Sequence, residues 1–236
     1  MSMIRPMAAA ARLIPVLAAA ALLLAGCTRG PEKTPAELEV LKAVTQQISR
    51  RRSPPPEPVK LTRALLDEQT QAYIEVVIEN RDAKAYLTRA LERRDSSPGV
   101  IEVWRTQDNV SVSLRAGMVI ATRGLGNGLL SAQVPAAEGV AGPAHGGARR
   151  YTVRADGNGQ AALAMACSLT DLGPEAVEIV EEVHATRHLQ ERCESSSGVV
   201  VNDYWVDSRP GSTRIWQSRQ WAGPETGYLR IRQLRL

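Results

Sequence analysis

The chain has 236 residues, a formal net charge of +4, 23% charged residues and only 4% aromatic ones. That length fits one domain, or one domain with a small appendage, and so slight a positive excess argues against a dedicated nucleic-acid binder. Phenylalanine is absent, so Trp and Tyr supply every aromatic contact.

At the N-terminus, Arg5 and Arg12 precede an apolar run from Leu13 to Leu24, and no acid occurs before Glu32. A run of about 12 residues falls short of the roughly 20 needed to span a bilayer. Basic start, apolar core, small residues and a polar continuation are the order of an export signal. The segment Leu24-Ala25-Gly26-Cys27 resembles the bacterial lipobox at all four positions. That resemblance implies residues 1–26 as a signal peptide, with Cys27 carrying the lipid and residues 27–35 forming a tether. An ordinary signal peptide with a coincidental cysteine is the competing reading. Thr28 is not the aspartate that commonly signals inner-membrane retention, which favours the periplasmic face of the outer membrane.

Residues 36–72 form the expected N-terminal helical segment. Thr34, Pro35 and Glu37 make a capping box with proline at the first helical position. Leu38, Leu41, Val44 and Ile48 then recur as one helical stripe. Arg50, Arg51 and Arg52 suit the negative end of the helix dipole, and Pro54-Pro55-Pro56 stops the helix. The triplet also suits anionic headgroups, but a solvated helix end is the simpler account. A short second helix is expected over about Leu61–Gln69.

From Tyr73 onward the hydrophobic period changes to two. Ile74, Val76 and Ile78 alternate with Glu75, Val77 and Glu79; Val110, Val112 and Leu114 with Ser111 and Ser113; Leu229 and Ile231 with Arg230 and Arg232. Turn signals separate such runs: Asp108-Asn109, Arg115-Ala116-Gly117, Asp156-Gly157-Asn158-Gly159, Leu172-Gly173-Pro174 and Gly223-Pro224. Residues 73–236 are therefore expected to be mostly β, as an antiparallel sandwich or partly open barrel with the N-terminal helix beside it. Pro135–Ala148, rich in Gly and Ala, is the longest irregular stretch and is expected to be mobile.

Two cysteines remain for the folded part, Cys167 and Cys193. In an exported protein such a pair usually forms a disulfide; two separate buried thiols are the alternative. The histidines His145, His184 and His188 make no known metal spacing with them, and no cofactor or metal is expected. Gly124–Gly128 lacks a P-loop lysine and reads as a turn, and there is no Gly-x-Ser-x-Gly elbow. Glu181 and Glu182 are expected on opposite faces of a strand, useless as a dyad. No catalytic residue is assigned. Tyr204, Trp205, Trp216, Trp221 and Tyr228 crowd the C-terminal third among Arg, Asp and Gln. Flat rings beside polar groups suit a sugar-binding face, so these five are candidate glycan contacts. Burial in a core without phenylalanine is the competing reading, and it applies more strongly to Trp104.

The block Gly99–Thr106, then Val112–Gly126, together with Cys193-Glu194, Asn202–Val206, Gln217–Pro224 and Gly227-Tyr228, resembles the YjbF/GfcB lipoproteins. The resemblance runs from about Leu61 to the C-terminus. It implies a mostly β, outer-membrane lipoprotein from exopolysaccharide or group 4 capsule clusters, acting in assembly or export beside envelope partners. It also implies that Cys167 and Cys193 are the family's paired cysteines. Partners expected on this reading are the membrane through the lipid, the polysaccharide and an outer-membrane export partner. The alternative is a periplasmic glycan-acting enzyme with carboxylates drawn from separate strands, 5–9.5 Å apart in a deep cleft.

Overall fold

Thr62 starts the first element: its Oγ1 accepts the Leu65 N–H at 3.3 Å and caps α1 (Arg63–Asp67), inside the expected 61–69 window. The structure, a computed structural model, describes residues 61–155 and 159–235. The expected signal peptide, tether and capped helix lie outside those residues, as does the tip of the turn at 156–158.

Twelve strands follow: β1 (Tyr73–Ile78), β2 (Ala83–Arg93), β3 (Ile101–Arg105), β4 (Ser111–Arg115), β5 (Met118–Arg123), β6 (Leu129–Gln133), β7 (Gly147–Arg154), β8 (Gln160–Ile179), β9 (Glu182–Ser195), β10 (Gly198–Asp207), β11 (Ile215–Trp221) and β12 (Tyr228–Arg235). They form one antiparallel sheet in the order β5-β4-β3-β2-β1-β12-β11-β10-β9-β8-β7-β6. Because β1 pairs with both β2 and β12, each strand lies beside its sequence neighbour. The sheet is an up-and-down barrel, of the two expected architectures the partly open one. Pairing β1 with β12 leaves only β5 and β6 as sheet edges among the described residues.

The opening lies between β5 and β6, the consecutive pair without a ladder. Side chains bridge it. Thr122 Oγ1 accepts the Leu129 N–H at 3.0 Å and donates to the Leu129 carbonyl at 3.4 Å. A Cβ at Gly128 would collide with Thr122 Oγ1, so glycine permits this approach. On the inner side, Gln220 of β11 serves the free backbone of β5. Its Oε1 accepts the Val119 N–H and its Nε2 donates to the Gly117 carbonyl, each at 2.8 Å. One amide thus replaces part of a missing strand, meeting the demand that buried backbone groups be paired.

Alternation places Ile74, Val76, Leu87, Trp104, Leu114, Leu129, Val153, Leu229 and Ile231 inside. Each fully buried aliphatic side chain contributes about 1.5–3 kcal/mol. Trp104 is fully buried, as expected. A second cluster forms where Leu66 of α1 meets Val177, Ile179 and Leu234, with Trp205 and Trp216 packed against it.

Four local features differ from the sequence reading. Leu172-Gly173-Pro174 is a bulge inside the 20-residue β8, with the register slipping between Asp171 and Gly173. Asp171 Oδ1 accepts the Gly173 N–H at 2.9 Å, and Gly173 takes φ +98°, so the strand kinks and continues. The reversal comes later, at Val180 and Glu181, with φ 46° and 68°. Both angles suit the primed hairpin turn, and Glu181 is therefore a turn residue rather than one of a strand pair. The 135–148 loop is docked: Gly142 N–H donates to Ala116 O at 2.8 Å, Ala144 N–H to Pro135 O at 3.0 Å, and Ala141 is buried. Finally, β2 carries few inward apolar residues, chiefly Ala85 and Leu87, and its charged sequence masks the strand.

Candidate functional site

Inward positions of β7, β9, β10 and β11 carry polar side chains that meet inside the barrel. Arg149 Nε donates to Glu191 Oε1 at 2.8 Å, and the two side chains are 2% and 0% exposed. The guanidinium also donates to the hydroxyls of Tyr151 at 3.3 Å and Tyr204 at 2.9 Å. Asn202 Nδ2 donates to the other Glu191 oxygen at 3.0 Å, and Asn202 Oδ1 accepts the Trp221 N–H at 2.8 Å. Tyr204 links this group to Gln220, with its hydroxyl 3.3 Å from Oε1. Burial weakens the charge on Arg149, yet the oxygens of Tyr204, Tyr151 and Glu191 outweigh it and raise its pKa. Burial pushes the Tyr204 hydroxyl well above its usual value, against the pull of Arg149. The network is buried, and its side chains pair with one another across β7, β9, β10 and β11.

A second group lies on the outer wall. His188 of β9 is directly opposite Trp205 of β10, and their rings stack at 4.4 Å. His188 Nε2 lies 2.9 Å from Asp203 Oδ1 and Nδ1 lies 2.8 Å from Glu175 Oε2. Gln190 Nε2 donates to the same Asp203 oxygen at 3.0 Å. Carboxylates only accept, so both ring contacts are hydrogen bonds when the imidazole carries two N–H groups. One turn of the hairpin away, His184 stacks on Trp216 at 3.6 Å with planes 11° apart. Burial lowers the His184 pKa, opposed by Glu182 and reinforced by Arg214 and Arg63. Val177 of β8 is the cross-strand partner of His184 and belongs to the cluster against which Trp205 and Trp216 pack.

The third feature is a cavity of about 390 Å³ at one end of the barrel. Ile74, Leu114, Ile215 and Ile231 line its floor, and Arg94, Glu102, Glu138 and Arg214 its rim. The rim acids are engaged. Glu138 accepts the Gly99 N–H at 3.2 Å and pairs with Arg94, and these, the backbone bond foremost, hold its carboxyl below the usual range. Glu102 pairs with Arg89 at 3.1 Å, and Glu92 with the same guanidinium at 2.9 Å. Beside them Arg115 grips Asp95, with Oδ2 at 2.6 Å and Oδ1 at 2.9 Å. This hydrogen bond and that from the Ser97 N–H hold Asp95 down at about 2.

A family model described as "Group 4 capsule polysaccharide lipoprotein gfcB, YjbF" matches residues 37–234. The chain belongs to the YjbF family. A crystal structure titled as the hypothetical lipoprotein YmcC from Escherichia coli (K12) superposes on this YjbF-family chain with a TM-score of 0.62. Its identity is 17%, covering 88% of this chain and 98% of that one, so the likeness is one of fold. No curated protein sequence matches.

Within this YjbF-family barrel, the residues singled out from sequence fall as follows. Cys27 lies outside the described residues and before the matched segment. Cys167 and Cys193 are cross-strand partners on β8 and β9 and form a disulfide. The bond occupies both sulfurs, so their grouping with Glu191 offers a metal only a carboxylate. Tyr204 has no exposed surface and belongs to the internal network, so a polymer outside cannot touch it. Trp205, Trp216, Trp221 and Tyr228 keep partial exposure. Trp221 meets the edge of Tyr151 at 5.1 Å. Tyr228 lies under the Arg219 guanidinium at 3.7 Å, and its hydroxyl accepts the Val201 N–H at 3.1 Å. His184 and His188, set aside as too far apart to chelate, turn out to be the stacking partners of two tryptophans. Arg149, Glu191, Gln220 and Arg214 were not singled out at all. In sequence they are ordinary polar residues, three within strands and Arg214 just before one, with nothing local to mark them.

Proposed function

We propose that this chain is an outer-membrane lipoprotein, anchored at Cys27 on the periplasmic face, that serves as a non-enzymatic accessory factor in exopolysaccharide or capsule assembly or export. The observation that carries the reading is the family match over 37–234, under a description naming capsule polysaccharide and lipoprotein. The Leu24-Ala25-Gly26-Cys27 segment supplies the anchor. The geometry supports a binding role over a catalytic one. The rim acids of the barrel mouth are tied to Arg89, Arg94 or a backbone N–H, and the buried Glu191 is held by Arg149. The partly exposed Trp205, Trp216, Trp221 and Tyr228, with the mouth cavity, are the surface offered to polymer, and an outer-membrane export component is the protein partner.

The test is an in-frame deletion with neighbouring genes intact, complemented by wild type or by Cys27→Ser. Loss of secreted polymer, restored by wild type and not by the serine variant, is the expected result. Unchanged polymer amount and length in the deletion would refute the role. Full rescue by Cys27→Ser would refute the anchor.

A further inference from the structure

Arg214 immediately precedes β11 and lines two cavities at once. One is the barrel mouth of about 390 Å³. The other, of about 360 Å³, is bounded by Val183, His184, Asp207, Arg209 and Trp216. Both sizes fall in the range of small-ligand sites, roughly 300–1,000 Å³. The other charged groups nearby are spoken for. Arg209 grips Asp207 through Nε at 3.0 Å to both carboxylate oxygens, and Arg94 holds Glu138. Among the described residues the Arg214 guanidinium makes no hydrogen bond or ion pair; its contact is the ring of Trp216 at 4.6 Å.

That contact fixes how the group is held. His184 lies flat on Trp216 at 3.6 Å, and the guanidinium lies over the same indole. The tryptophan is thus a post that holds an arginine by cation–π attraction. Burial and the neighbouring Arg209 lower the Arg214 pKa, against Asp207, so its positive charge is poorly compensated where it stands. A rigid, partly desolvated guanidinium with unused donors matches the two oxygens of a carboxylate in a bidentate pair.

We propose that Arg214 is an anion subsite for an acidic polysaccharide, taking the carboxylate of a uronic-type sugar while the barrel mouth receives an adjoining ring. The inference rests on the proposed handling of polysaccharide and names the chemical class of the polymer. Thr213, which also lines the mouth, supplies a hydroxyl beside the carboxylate, while that of Ser212 is engaged with Asp207. Salt dependence follows, because the pair forms at the solvent-facing rim.

The experiment uses the full-length lipoprotein in detergent, titrated with oligogalacturonate and, separately, with neutral maltohexaose. Tryptophan fluorescence is the readout, since Trp216 touches the arginine. Expected are saturable binding of oligogalacturonate that weakens with salt, at least tenfold weaker binding of maltohexaose, and a tenfold or greater loss of oligogalacturonate affinity in Arg214→Gln. Arg214→Lys, which keeps the charge and loses the fork, should fall between. Equal affinity for the acidic and neutral oligomers, no binding of either, or wild-type affinity in Arg214→Gln would each overturn the proposal. Should Arg214→Gln fail to fold, the lysine variant and the acidic-to-neutral ratio of the wild type still decide it. A gene deletion that abolishes polymer while Arg214→Gln fully restores it would sink this subsite and leave the accessory role standing. A deletion without effect would sink the role itself.

Discussion

Replacing Arg149 by methionine removes the cation from a pair whose side chains are 2% and 0% exposed. Glu191 would keep only Asn202 Nδ2 at 3.0 Å and the distant Tyr204 hydroxyl at 3.5 Å. Breaking a buried pair from one side costs about 3–5 kcal/mol, because a charge stays behind without its partner. The destabilisation of Arg149→Met should therefore be about 3–5 kcal/mol. In the double variant Arg149→Met/Glu191→Leu the stranded charge is gone, and much of the loss should return. The assay is urea unfolding of the oxidised protein, followed by tryptophan fluorescence. A single-variant loss below about 1 kcal/mol, or a double variant no more stable than the single one, would refute the claim that an uncompensated carboxylate sets the cost.

Reducing the Cys167–Cys193 bond opens a loop with a sequence separation of 26, which by loop entropy should cost roughly 3.5 kcal/mol. Non-reducing peptide mapping should show the two peptides joined, and reductant should lower the melting temperature. Gln220→Leu strands the Val119 N–H and the Gly117 carbonyl. Each orphaned buried group costs about 1–3 kcal/mol, and hydrogen exchange at Val119 should accelerate more than at the centre of β9. Asp95 should titrate near 2, moving toward 3.8 in Arg115→Gln. Its folded value is depressed, so its stabilising contribution is complete above about 3.8 and is lost as pH falls through about 2. Carboxyl-detected NMR titration checks both midpoints, and an unshifted Asp95 in the wild type would contradict the Arg115 clamp.

Much of the strand pattern was legible locally. Ile74-Val76-Ile78 and Leu229-Ile231 alternate in sequence and point into the barrel in the structure. The turns at Asp108-Asn109 and Arg115-Ala116-Gly117 carry residues with positive φ where the chain reverses. Exceptions have local causes. At Val180-Glu181 a primed turn is built without glycine or asparagine, so no turn signal exists, while Leu172-Gly173-Pro174 shows the signal and continues as a bulged strand. In β2, Lys84 and Arg93 bracket a strand whose inner face holds chiefly Ala85 and Leu87, too little contrast to read.

The amino-acid sequence by itself determined the strand-rich character, the two cysteines available to pair, the candidate lipid-attachment motif and the family. All of these are local patterns or composition. Only the tertiary structure decided that twelve strands line up in sequence order around a nearly closed barrel, that Arg149 and Glu191 meet in the buried interior, and that Arg214, without a carboxylate partner among the described residues, stands on Trp216 beside two cavities. The physical reason is that a buried arginine, a paired one and a free one are the same letter. What separates them is which distant strand supplies, or fails to supply, a carboxylate within hydrogen-bond reach.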